Sequence, residues 1–89
     1  MAQLIDNTAR NRYEWPVDGG VAFVDYRRGD GVIALTHAEV PPELEGRGVG
    51  SAMVRAVLEA ARANGEKVRP QCSFVAAYIR RHKEFQDLL

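Results

Sequence analysis

Three glycines stand at alternate positions in the stretch "EGRGVGS", where Gly46, Gly48 and Gly50 directly precede an alanine-rich helical pattern. The first amides of a helix have no acceptor within the helix, and the helix dipole makes that end positive. Glycines at this end let a ligand approach the backbone without meeting a Cβ atom. The pattern therefore predicts an anion site that suits a phosphate or a pyrophosphate.

Two better-known phosphate motifs do not fit this loop. A dinucleotide fingerprint requires G-x-G-x-x-G, which is absent, and 89 residues are too few for a full doubly wound domain. A Walker loop requires Gly-Lys followed by Ser or Thr, which is also absent. An ordinary glycine-rich turn remains the alternative to an anion site.

The N-terminal half has the alternating pattern of β-strands. We predict strands in "RYEWPV", "VAFVDYRR" and "VIALTHAEV", separated by the turn signals "DGG" and "GDG". The short turns predict an antiparallel meander, and "QLIDN" adds a short edge strand. Pro16 is best placed on an edge, because it cannot donate to a neighbouring strand.

The C-terminal half changes to a helical period after two prolines. Residues 49–63 form an amphipathic helix whose predicted inner face comprises Val49, Met53, Ala56, Val57 and Ala60. Gly65 ends this helix, "KVRPQ" forms a strand, and "CSFVAAYIRRH" forms a second helix with Ser73 as N-cap. The last residues, "KEFQDLL", fold back on the sheet. This order predicts an α+β fold, a mixed α/β layer with a mostly antiparallel sheet.

Length and composition restrict the class of protein. We expect one domain covering residues 1–89. Twelve basic and twelve acidic residues balance, which argues against a nucleic-acid or membrane-surface binder. A single cysteine, no apolar run of membrane-spanning length and no signal peptide favour a cytoplasmic protein. An exposed sheet edge is compatible with a monomer or a weak dimer.

The stretch "VPPELEGRGVGSAMV" resembles motif A of the GCN5-related N-acetyltransferase (GNAT) superfamily, in which a strand and a Pro-containing loop lead to Q/R-x-x-G-x-G/A and a helix. Gly48 and Gly50 match the two defining positions, Gly46 the frequent extra glycine and Pro42 the usual proline. Glu45 departs from the pattern, because the family commonly has Gln or Arg there.

The resemblance extends from about Val21 to Phe85, and the small size and the ending "CSFVAAYIRRHKEFQDLL" are similar to the short single-domain members. It implies a minimal GNAT-like fold of order β-β-β(-β)-α-β-α that binds acetyl-CoA and requires no metal. The pantetheine arm would pair like an extra strand along the strand that ends at Val40. The pyrophosphate would contact five backbone amides, those of Arg47, Gly48, Val49, Gly50 and Ser51.

Acetyl transfer to an amine requires a base and a proton for the leaving thiolate. Strict alternation puts Leu35, His37 and Glu39 on one face of their strand and Ala38 on the other. His37 is our candidate base, since histidine accepts protons near neutral pH. A solvated histidine at a strand end is the alternative interpretation.

Cys72 and Tyr78 are the other candidate catalytic residues. Cys72 lies where a strand ends and a helix begins, a position that favours a reactive thiolate. It is a candidate acetyl acceptor or acid, or else a small buried apolar residue. In longer relatives a tyrosine on the last helix often protonates the thiolate, and Tyr78 is the candidate here, with core packing as its alternative. Arg47, Arg80 and Arg81 are candidates for the 3′-phosphate of CoA, or else form a solvated basic face.

The leading hypothesis is an acetyl-CoA-dependent N-acetyltransferase whose acceptor is an amine, such as a protein lysine or a small amine. The alternatives are a non-catalytic acyl-CoA-binding or sensing module on the same fold, and a protein-interaction domain in which the glycine loop is only a turn.

Overall fold

The computed structural model describes residues 3–89, so Met1 and Ala2 of the predicted domain lie outside the described residues. Its strands and helices follow the predicted order. They are β1 (Ile5–Asn7), β2 (Arg12–Val17), β3 (Gly20–Gly29), β4 (Val32–Glu39), α1 (Val49–Ala63), β5 (Lys67–Pro70) and α2 (Ser73–Arg81). Three short 3₁₀ segments cover Thr8–Arg10, Pro42–Leu44 and Lys83–Leu88.

The five strands form one sheet in chain order. Strands β1 to β4 pair antiparallel, and β5 pairs parallel to β4 after the crossover through α1. Asp30 and Gly31 both have positive φ angles, 56° and 76°, as a tight two-residue hairpin between β3 and β4 requires. The pairing of β1 reaches Glu14 on β2, so Pro16 lies beyond it, paired with Val21 of β3 alone.

One face of the sheet carries the core. Directly paired residues such as Tyr13 and Val24, or Ile33 and Val68, are all buried, and both helices pack over them. The opposite face, which we call the open face, has no buried side chain among residues 3–89. The fold therefore has two layers, with helices on one side of the sheet.

Helix α1 has the predicted bounds but a rotated inner face. The buried residues are Gly50, Met53, Val54, Val57, Leu58 and Ala61. Met53 and Val57 were predicted correctly, whereas Val49, Ala56 and Ala60 are only half-buried. Val49 and Ala60 still pack against the core from the margin of this face, whereas Ala56 does not, because the larger side chains Val54 and Leu58 fill the space under the helix.

A β-bulge in β4 changes the predicted alternation. Tyr26 of β3 pairs with Leu35, but its neighbour Asp25 pairs with His37, so Thr36 is one extra residue on β4. Leu35 is fully buried on the helix-covered face, whereas His37 is exposed on the open face. The prediction that Leu35 and His37 share a face was therefore wrong.

The C-terminal segment closes the core next to α2. Helix α2 is capped by Cys72 and begins at Ser73, so the prediction of Ser73 as N-cap was wrong. Phe85 and Leu88 are buried, whereas the terminal Leu89 is exposed. Within residues 3–89, neither helix is long and apolar enough to cross a membrane.

Candidate functional site

Strands β4 and β5 separate beyond their last pair, Leu35 with Pro70. The amides of Gln71 and Cys72 both donate to the Leu35 carbonyl, over 3.0 and 2.9 Å, and the chain then turns into α2. Residues 37–39 of β4 consequently pair with β3 on one side and face a slot on the other. This slot is closed at Leu35 and opens toward the glycine loop.

The glycine loop supplies the free amides of the site. Gly46 and Gly48 have φ angles of 83° and 74°, which side chains with a Cβ adopt rarely, and Gly48 is the N-cap of α1. The first helical bond runs from the Ala52 amide to the Gly48 carbonyl, over 3.0 Å. The amides of Val49, Gly50 and Ser51 therefore precede the hydrogen-bonded part of the helix and are available to an anion.

Gly50 has a different reason to be glycine. A Cβ built there would lie 3.0 Å from Cζ of Phe74 and 3.3 Å from Cγ2 of Val40, closer than ordinary van der Waals contact. The missing side chain thus lets three elements meet: the first turn of α1, the end of β4 and the first turn of α2. The three glycines serve two purposes, because Gly46 and Gly48 allow the turn and Gly50 allows close packing.

The slot and the loop border one cleft of about 420 Å³. It is lined by Ala38, Val40, Leu44, Glu45, Gly46, Gly48, Val49, Gly50, Ser51 and Phe74. Of the predicted cofactor-binding residues, Val40, Gly48, Val49, Gly50 and Ser51 line it. Arg47 is exposed in the same loop and outside this lining. The lining joins apolar side chains to free amides, a combination that suits a ligand with an anionic end and an extended apolar arm.

Glu45 gives the cleft one carboxylate. Its side chain is exposed and lies among the lining residues beside the helix start. A carboxylate opposes the anion-binding character that the α1 dipole provides. Among residues 3–89, no group of three or more His, Cys, Asp or Glu side chains is placed to hold a metal ion.

His37 and Glu39 lie beside the slot, on the open face of the sheet. The imidazole Nε2 is 3.3 Å from Oε1 of Glu39, and the His37 side chain is 57% exposed. The bulge at Thr36 turns Ala38 and Val40 toward the cleft and His37 away from it. His37 therefore borders the slot from the opposite side of the sheet to the helices.

Cys72 and Tyr78 occupy different environments. Cys72 is half-buried at the closed end of the slot, where its amide bonds to Leu35. Tyr78 is buried one turn beyond Phe74, outside the lining of the cleft. Its ring stacks on His82 at 3.9 Å, and its hydroxyl lies 3.4 Å from Nη1 of Arg55. Arg80 and Arg81 form the last turn of α2, away from the glycine loop.

Sequence reasoning missed three residues of the cleft: Ala38, Leu44 and Phe74. Ala38 was assigned correctly to the face opposite His37, but that face was not identified as the ligand side. Phe74 could have been found from the sequence, because it is a large apolar residue in the first turn of α2, two positions after the candidate Cys72. Leu44 is buried in a 3₁₀ segment and offers no periodic pattern.

The groups with shifted pKa values lie at the far end of the sheet and along α1. Burial and the hydrogen bond to Asp6 raise the pKa of Tyr26 to about 12. The pKa of Arg28 is raised above its usual range. Burial lowers this pKa, but the hydrogen bond to Glu66 raises it by more. The hydrogen bond from the Arg62 guanidinium lowers the pKa of the Asp87 carboxyl. These groups form structural contacts between strands, loops and the C-terminal segment.

Comparisons with known proteins agree with this geometry. Residues 12–88 match the family model of GCN5-related N-acetyl-transferases. The chain is also similar to a proposed GCN5-like N-acetyltransferase from Staphylococcus aureus, solved by solution NMR, with 30% identity and a TM-score of 0.73. That match covers 97% of this chain and 85% of the other. No curated protein matches the chain.

Proposed function

Because this chain belongs to the GCN5-related N-acetyltransferase family, we propose that it transfers an acetyl group from acetyl-CoA to an amine. The observation that carries the proposal is the cleft that joins the free amides of α1 to the unpaired edge of β4. A pyrophosphate suits the free amides of α1. An extended arm with amide groups suits the edge of β4, because such an arm can form hydrogen bonds there as a neighbouring strand would.

The ligand's direction in the cleft follows from these two ends. With the pyrophosphate on the amides of Val49, Gly50 and Ser51, the arm runs from Val40 back along residues 36–39. The thioester then arrives at the closed end of the slot, next to Cys72. The side of the thioester away from Cys72 is directed toward the open face of the sheet, where His37 lies and from which an amine can approach.

Binding is tested by thermal unfolding with and without acetyl-CoA. Ligand at about 100 times its Kd stabilises a folded protein by about 2.7 kcal/mol. In a domain of this size we expect the melting temperature to rise by roughly 10 °C or more. Gly48→Trp places an indole over the helix start and should abolish this rise.

Gly65→Trp is the matched control for that variant. Gly65 has a similar φ angle, 72° against 74°, and open space around its Cα, but it ends α1 instead of beginning it. Both variants carry the same backbone strain, so the control should keep the full rise. If the wild type shows no rise at millimolar acetyl-CoA, the proposal is wrong.

Two routes for the transfer are compatible with the site. In the first, the Cys72 thiolate attacks the acetyl carbonyl carbon, the bond from that carbon to the CoA sulfur breaks, and the CoA thiolate takes a proton. The amine then attacks the acetyl-cysteine, releases the Cys72 thiolate and loses its own proton. In the second, the amine attacks the acetyl carbonyl carbon of acetyl-CoA directly and His37 accepts the amine's proton; the bond from that carbon to the CoA sulfur breaks, and the CoA thiolate takes a proton. Tyr78 keeps its packing role in both.

The two routes predict different behaviour for variants of Cys72 and His37. By the first, acetyl-CoA alone should add one acetyl group to the protein by mass spectrometry, and Cys72→Ala should remove both the adduct and the turnover. By the second, Cys72→Ala keeps its rate, and His37→Gln lowers kcat without changing acetyl-CoA binding. Binding without release of CoA thiol for any tested amine would favour the non-catalytic acyl-CoA-binding module.

A further inference from the structure

Phe74 is a large apolar side chain that the fold leaves partly uncovered. It is 39% exposed, whereas Val75, Tyr78 and Ile79 of the same helix are buried. An exposed aromatic ring that lines a cleft is available for a ligand. The proposed transfer as described so far gives it no role.

The ring lies at one side of the cleft, against the start of α1. Its tip meets the first turn of α1 at Gly50, where the methyl group of Val40 also arrives. Val40 and Phe74 both line the cleft, so a ligand that reaches from the α1 amides to Cys72 along β4 passes both side chains. The ring therefore contacts the arm on the side opposite β4. This is the side on which a longer β5 would have been the neighbouring strand.

We propose that Phe74 is a positioning residue that holds the arm of the coenzyme against β4. The inference rests on the proposed function and concerns the same cleft. In this structure the tip of the ring lies against Gly50, and in the complex it packs on the methylene and methyl groups of the pantetheine arm. Strand-like pairing with residues 36–39 fixes one side of the arm, and Phe74 fixes the other.

Two probes separate contact with the arm from contact with the phosphates. CoA carries the arm, and 3′-phospho-ADP carries the phosphates without it. We expect Phe74→Ala to weaken CoA binding by about 5- to 20-fold in calorimetric titration, through loss of apolar contact, and to leave 3′-phospho-ADP binding within about two-fold. Phe74→Tyr retains the ring and should restore CoA binding.

Phe23→Ala is the matched control, because Phe23 is a half-buried phenylalanine on the open face of the sheet. It should leave binding of both probes unchanged. Equal weakening of both probes by Phe74→Ala would indicate a purely structural role and would overturn the inference. Undiminished CoA binding by Phe74→Ala would overturn the inference about Phe74 but not the proposed function. A wild type that binds neither probe would overturn both.

Discussion

At the scale of single residues, Glu45 is the departure from the family pattern that bears directly on the ligand. Its carboxylate lines the cleft beside the amides of α1, where the proposed ligand brings a pyrophosphate. Like charges repel, and because this site is exposed, the repulsion is modest and screened by salt. The residue should therefore weaken binding without preventing it.

We expect Glu45→Gln to strengthen CoA binding by about two- to ten-fold at low ionic strength, with a smaller gain at high salt. Glu43→Gln is the control, because Glu43 is exposed two residues earlier and lies outside the lining of the cleft. Titration calorimetry at two salt concentrations measures both. A Glu45→Gln variant that binds CoA no better than Glu43→Gln would show that the carboxylate points away from the ligand.

Some residues of the cleft could be predicted from the sequence and others could not. Gly48 and Gly50 could be identified because their spacing before a helix is a local pattern. The orientation of His37 could not, since the bulge at Thr36 depends on the pairing of β3 with β4, which alternation within one strand does not encode. Phe74 belongs to the cleft only through its packing on Gly50, a contact between residues far apart in the chain.

At the scale of elements, the order and bounds of the strands and helices could be read from the sequence, because turn residues and periodicity are local. The inner face of α1 could not be read with the same accuracy. Apolar residues occupy more than half of its circumference, so the pattern allows several rotations, and Leu58 and Val54 decide between them by filling the core.

The C-terminal 3₁₀ segment, Lys83–Leu88, is held by α1 as well as by α2. Phe85 is 2% exposed, and the guanidinium of Arg62 reaches the Glu84 carbonyl at 2.7 Å and Asp87 at 2.6 Å. We expect Phe85→Ala to lower the free energy of unfolding by about 3–5 kcal/mol, as for other buried phenylalanines. Urea denaturation measures this. Phe74→Ala, the control at a ring that is 39% exposed, should cost clearly less than Phe85→Ala.

Strand β1 is joined to β3 by the hydrogen bond from Tyr26 to Asp6. Burial raises the pKa of Tyr26 from 10.0 to about 12, so the folded protein keeps its proton where the unfolded chain loses it. This contribution is complete below about pH 10 and is lost as the pH rises toward about 12. This shift of about two pKa units amounts to roughly 3 kcal/mol. Tyr26→Phe should reduce the fall in stability between about pH 10 and 12, measured by denaturant titration; an unchanged fall would contradict this.

At the scale of the whole molecule, stability should be unevenly distributed. Strands β3 and β4 have partners on both sides and supply much of the core, whereas β1 has three residues at one edge and β5 has four at the other. Amide exchange in the native state should therefore be slowest in β3 and the first half of β4 and fastest in β1. Residues 38–40 should gain protection when CoA is added. Uniform protection across all five strands would contradict this expectation.

The two-residue turn at Asp30 and Gly31 has a consequence for how the molecule assembles. It joins the two longest strands, β3 and β4, by only two residues, so the β3–β4 hairpin can form at small entropic cost before distant parts of the chain meet. One wall of the cleft would then exist early, while the wall built by α1 and α2 arrives with the last long-range contacts. Pulse-labelling of amides during refolding should show the hairpin protected first. A nascent chain would thus gain affinity for the proposed coenzyme only at the end of folding.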